Sequence, residues 1–60
     1  MNRSQLRDWL MDWIGQNTEL VAVIVDGEAV AYDGDETVFS VSRLADDLVW
    51  ALTEARAAGD

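Results

Sequence analysis

The sequence predicts an α+β fold in one domain, residues 1–60: a helix, an antiparallel β-hairpin or short three-stranded meander, and a helix, stacked as an αββα sandwich. Three observations carry this. Leu6, Trp9, Leu10, Trp13 and Ile14 recur at helical steps of three and four. Residues 19–25 are rich in β-branched side chains and run into Asp26-Gly27, which suits a two-residue type I′ turn. Val41, Leu44, Leu48, Ala51, Leu52 and Ala55 then return to helical spacing.

For the first helix, Asn2 or Ser4 can serve as the N-cap, and Gly15, followed by Gln16 and Asn17, supplies a left-handed stop, so its expected span is about 4–14. Asp8 and Asp12 lie one turn apart opposite the apolar stripe, where a like-charged pair costs about a few tenths of a kcal/mol. Stability does not select that pair. It is either a solvated helix face or a binding feature.

In the hairpin, the Asp26-Gly27 turn sets Val25 opposite Glu28, Val23 opposite Val30 and Val21 opposite Tyr32 on one face. Leu20, Ala22, Ile24, Ala29 and Ala31 share the other, whose alanines let a helix approach closely. The valine face needs a cover or stays a sticky patch. A second turn at 33–36 leads to a short third strand over about 37–39. Ser40 or Ser42 caps the second helix, which ends before Gly59. Trp50 falls off its inner stripe, among Arg43, Asp46, Asp47 and Glu54. It either packs against the first helix or a sheet edge, or stands as an aromatic anchor in an acidic rim.

Sixty residues hide only about 60% of the surface that the unfolded chain exposes, so the core must be small, but a composition that is half apolar suffices for collapse. With no Cys, neither disulfides nor thiolate-bound metals support the fold. The longest apolar run, residues 20–25, is too short to span a bilayer, and the start of the chain lacks a signal-peptide core. A soluble, intracellular protein is expected.

Twelve acids against four arginines give a formal charge of -8, with no Lys and no His. Between Asp8 and Ser42 stand eight acids and no base: Asp8, Asp12, Glu19, Asp26, Glu28, Asp33, Asp35 and Glu36. The charges outside that window cancel. The whole net charge therefore belongs to the first helix and the hairpin, which disfavours nucleic acid and anionic lipid as direct partners and favours a basic protein surface.

Nucleophilic catalysis would need a base beside Ser40, Ser42, Thr18, Thr37 or Thr53, and no His, Lys or Cys is available. A carboxylate pair needs a deep cleft to separate two pKa values, which two short helices on a hairpin do not offer. The expectation is a non-enzyme. Asp33-x-Asp35 resembles the start of a calcium loop, but Thr37, Val38 and Leu44 fall where that loop needs a ligand, a Gly and a Glu, so at most weak adhesion of Ca²⁺ or Mg²⁺ is implied and no cofactor is expected.

Carboxylates one helical turn apart, or two residues apart on a strand or turn, lie roughly 5–7 Å from each other and can imitate a row of phosphates. Asp8, Asp12, Asp26, Glu28, Asp33, Asp35 and Glu36 are the candidate partner-binding acids, with Trp50 as an apolar contact. The alternative is charge that only keeps a small protein soluble.

In size, lack of Lys and the acids between Asp8 and Glu36 on this frame, the chain resembles the small acidic anti-CRISPR proteins of bacteriophages and mobile elements that act as DNA mimics. That resemblance implies a non-enzymatic inhibitor in the cytoplasm of a host bacterium, bound to a Cas effector subunit and blocking target DNA. The segments VAVIVDGEAVAY and SVSRLADDLVWAL also resemble the hairpin and second helix of phage head-to-tail joining proteins of the lambda W type, which implies a connector role. An acidic antitoxin or regulatory module fits the charge as well. On charge, a monomer is expected over a dimer.

Overall fold

The computed structural model describes residues 2–58. Its elements are α1 (Arg3–Asn17), β1 (Val21–Val25), β2 (Glu28–Asp33), β3 (Glu36–Ser40) and α2 (Val41–Ala58). The strands form one antiparallel sheet in the order β1-β2-β3, and both helices pack against β2. This is the expected α+β arrangement, with the third strand fully formed.

Asn2 begins α1 with a reciprocal cap: its Oδ1 accepts from the Gln5 amide at 2.9 Å, and Gln5 Oε1 accepts from the Asn2 amide at 2.9 Å. At the other end the structure corrects the expectation. Gly15 does not stop the helix, which runs through it to Asn17. Polar side chains close it instead. Asn17 Nδ2 donates to the Trp13 carbonyl at 2.9 Å, while the Thr18 hydroxyl and amide donate to the Ile14 carbonyl at 2.7 and 3.0 Å. With those carbonyls satisfied, no left-handed residue is required.

The hairpin has the expected register, Val21 opposite Tyr32 through Val25 opposite Glu28. Asp26 (φ 51°) and Gly27 (φ 81°) both take positive φ, the backbone of a type I′ turn. Between β2 and β3 the register slips by one residue, leaving Val38 as the extra residue of a bulge, and Gly34 (φ 62°) makes the second turn.

The core consists of Leu6, Leu10 and Ile14 from α1, Ala29 and Ala31 from β2, and Val41 and Ala45 from α2. Both alanines of β2 are 0% exposed, so the helices lie directly on the backbone of the central strand. Two expected stripes are trimmed. In α1, Trp9 and Trp13 flank the buried line and remain about half exposed. In α2, Val41 and Ala45 are buried and Leu44 and Val49 half-buried, but Leu48, Ala51, Leu52 and Ala55 are exposed because nothing lies beneath that half of the helix. Ile24, at the end of β1, is likewise outside the core. Gly59, the expected stop for α2, lies outside the described residues.

The two serines proposed as caps have separate tasks. Ser40 Oγ accepts from the Arg43 amide at 3.1 Å and is the N-cap. Ser42 is buried inside the first turn of α2, where its Oγ accepts from the Ala29 amide at 2.9 Å. Because β3 ends opposite Val30, no strand remains to pair with Ala29 on that side, and Ser42 takes the place of one.

Candidate acidic interaction surface

The hairpin and the second turn place their acids at opposite ends of the sheet. Asp26 and Glu28 sit where β1 passes into β2, and Asp33, Asp35 and Glu36 where β2 passes into β3. Six residues of strand separate the two groups by about 17 Å. The acids contiguous in sequence are therefore two clusters and not one row.

At the first end the acids share their surroundings with arginines. Arg3, Arg43, Asp26, Glu28, Ser42 and Asp46 border an open hollow of about 310 Å³, and Arg3 forms an ion pair with Asp46 that ties the start of α1 to the second turn of α2. Arg43 stands on α2 beside the Ser40 cap. Arg3 is taken up by Asp46, and among the described residues neither Asp26 nor Glu28 takes part in an ion pair, so the arginines border these carboxylates without pairing them.

Asp8 and Asp12 are exposed on α1, as the helical pattern required. Asp8 is not free, however: Arg7 Nε and Nη2 reach its Oδ1 at 3.0 and 2.9 Å, so a base from outside the acidic window compensates one of its members. The adjacent Arg-Asp pair in the sequence was the available signal. Asp12 has no such partner among the described residues.

The second end is different. Asp33, Asp35 and Glu36 are exposed, and among the described residues none of them takes part in an ion pair. Glu19, two residues before β1, is exposed and belongs to this end, because Val21 pairs with Tyr32. It stands in the acidic window of the sequence but outside the set of candidate partner-binding acids. Continuing the hairpin register past Val21 would have found it.

Trp50 resolves to the open of its two alternatives. It is 67% exposed on α2, at helical spacing from Asp46, Asp47 and Glu54, and makes no part of the core. A second shallow hollow of about 330 Å³, bordered by Phe39, Ser40, Arg43, Leu44 and Asp47, opens on the same helix.

Among the described residues no three carboxylates converge closely enough to hold a metal ion, and every described Asp and Glu is exposed. What this surface can do is present fixed negative charge. No described helix is long and apolar enough to cross a membrane. Comparison with family models, curated proteins and solved structures returned no match.

Proposed function

We propose that this chain is a non-enzymatic inhibitor that covers a basic, nucleic-acid-binding protein surface by acidic mimicry, with the target-DNA groove of a Cas effector complex as its site of action. The observation that carries this is the 33–36 turn with Glu19: four exposed acids at one end of the sheet, with no arginine drawn to them among the described residues. Rigid placement matters here. A tight turn between two paired strands fixes the backbone positions from which its carboxylates project, so a Lys/Arg groove meets them with little cost in ordering the chain.

In this reading Asp33, Asp35 and Glu36 are the primary contacts and Asp12 extends them. Asp8 contributes less because Arg7 pairs with it, and Asp26 and Glu28 contribute less because Arg3 and Arg43 border the same hollow. Trp50 adds apolar contact at the margin of the partner. The partner is a protein, with neither nucleic acid nor membrane bound directly, and the site of action is the host cytoplasm.

The test is a gel-shift competition with Cas effector complexes and target DNA, after pull-down from a CRISPR-bearing host. Wild-type chain should displace DNA, and the Asp33→Lys/Asp35→Lys/Glu36→Lys triple variant should not, while its circular dichroism stays native. Inhibition by the triple variant at wild-type strength would remove this turn from the site. Ring assembly with phage head proteins, or capture of a toxin without any effect on DNA binding, would replace mimicry by the connector or antitoxin reading.

A further inference from the structure

The apolar stripe of α2 is longer than the structure it covers. Val41, Ala45, Leu48, Leu52 and Ala55 follow one another at steps of four and three, so they lie along one side of the helix. The first two are buried against the sheet and α1. The rest continue past that support: from Trp50 to Ala58 every residue is exposed, and Leu52 is 64% exposed. The molecule measures 44 Å along its long axis, whereas its strands reach only about 17–20 Å and α2 itself about 27 Å. About half of α2 is an overhang with its core-facing side bare.

A second bare surface lies on the far side of the sheet. Val21, Val23 and Val25 are exposed there, next to the half-buried Val30 and Tyr32. Each chain thus carries two uncovered faces: a ridge (Leu48, Ala51, Leu52 and Ala55) and a flat valine surface. Against these, Val41 is the only fully buried large side chain among the described residues.

We propose that two copies of the chain associate about a two-fold axis and exchange overhangs, the second half of each α2 lying across the valine face of the other's sheet. Three observations select this occupant and arrangement. The first is direction. The ridge faces the same way as the buried start of α2, toward the sheet layer, so a partner sheet placed beside the first meets the ridge with its valine face once it is turned over by the two-fold. That operation also brings the partner's overhang onto the first chain's valine face. Helix and sheet then alternate on both sides of one layer.

The second is area. From the fractional exposures, each face offers roughly 300 Å² per chain. Sheet on sheet, or overhang on overhang, would bury roughly 600 Å² in total, the size of an incidental contact, whereas reciprocal exchange closes both kinds of face and reaches roughly 1,200 Å². The third is charge. Sheet on sheet would set the acidic margins of two copies against each other. Within α2 the overhang carries only Glu54 and Arg56, which cancel, and Arg56 in its last turn is complementary in charge to the acidic margins of a sheet. The net charge that favours single chains is thus kept out of this contact.

Sedimentation equilibrium on the full chain at ~100 µM, above the micromolar Kd that a small interface supports, should give twice the chain mass. Leu52→Glu and Val21→Lys both alter exposed side chains and change the charge in opposite directions. Each alone should give a single-chain mass with native circular dichroism. Mixed in equal amounts they should regain the two-chain mass, because one contact is then intact and the other joins Glu to Lys. If either variant loses its helical signal, Leu52→Ala or Val21→Thr takes its place. A single-chain mass for the wild type, a folded variant that stays dimeric, or a mixture that stays monomeric would each overturn the exchange.

Discussion

Replacing Ser42 by Ala removes one hydroxyl from a side chain that is 7% exposed and leaves the Ala29 amide with no acceptor. Ala29 is itself fully buried, and β3 has already ended opposite Val30, so neither water nor strand can substitute. A buried N–H left unpaired costs about 1–3 kcal/mol. Against that, Ala favours the helix over Ser by roughly half a kcal/mol. The net expectation is a loss of about 0.5–2.5 kcal/mol. For a chain of this size that corresponds to a Tm lower by roughly 2–20 °C, and to a urea midpoint lower by about 0.5–2.5 M if m is about 1 kcal/mol/M. Hydrogen exchange at the Ala29 amide should accelerate with it. Ser40→Ala, which removes only an N-cap, should cost about 1 kcal/mol and leave Ala29 exchange unchanged relative to global unfolding. A Ser42→Ala protein within about 0.5 kcal/mol of wild type would refute the claim that this hydroxyl completes the sheet.

Gly15→Ala tests where α1 ends. A Cβ there meets nothing within 4 Å and the residue is helical, so the substitution should stabilise by about 0.5–1 kcal/mol in chemical denaturation; a left-handed stop would make it destabilising. Leu10→Ala should cost about 2–5 kcal/mol by the same measurement, and Trp13→Ala under about 1, although both residues belong to one helical stripe in the sequence. Binding of the chain to the basic partner proposed above should weaken steeply between low and physiological salt. The Asp33→Lys/Asp35→Lys/Glu36→Lys protein should lose that dependence together with its affinity, as read by fluorescence anisotropy.

Local chemistry was legible wherever neighbours along the chain decided the outcome. Asp26-Gly27 alone implies the hairpin turn and, through it, the pairing of ten residues across β1 and β2. Helical spacing identified Leu6, Leu10 and Ile14, and the acidic window located the net charge. The end of α1 is not legible in the sequence, because Gly15 is a permissive residue and not a compulsory stop, while Asn17 and Thr18 act through side-chain bonds that periodicity does not register. The candidate site was legible in its residues but not in its grouping. Its acids follow one another in sequence, and only the length of β2 separates the turn shared with arginines from the turn without them.

The sequence by itself determined the order of the elements, the first turn, the hairpin register and the sign of the surface, because each follows from residues a few positions apart. The tertiary structure decided which members of each apolar stripe are covered. A stripe records which side of a helix is apolar, but burial depends on what stands opposite, and a sheet of five- and six-residue strands is shorter than the eighteen residues of α2. For the same reason Trp9, Trp13, Leu52, Val21, Val23 and Val25 stay exposed in a single chain while Ala29 and Ala31 reach zero exposure. Pattern names the candidates for a core, and the reach of the neighbouring element chooses among them.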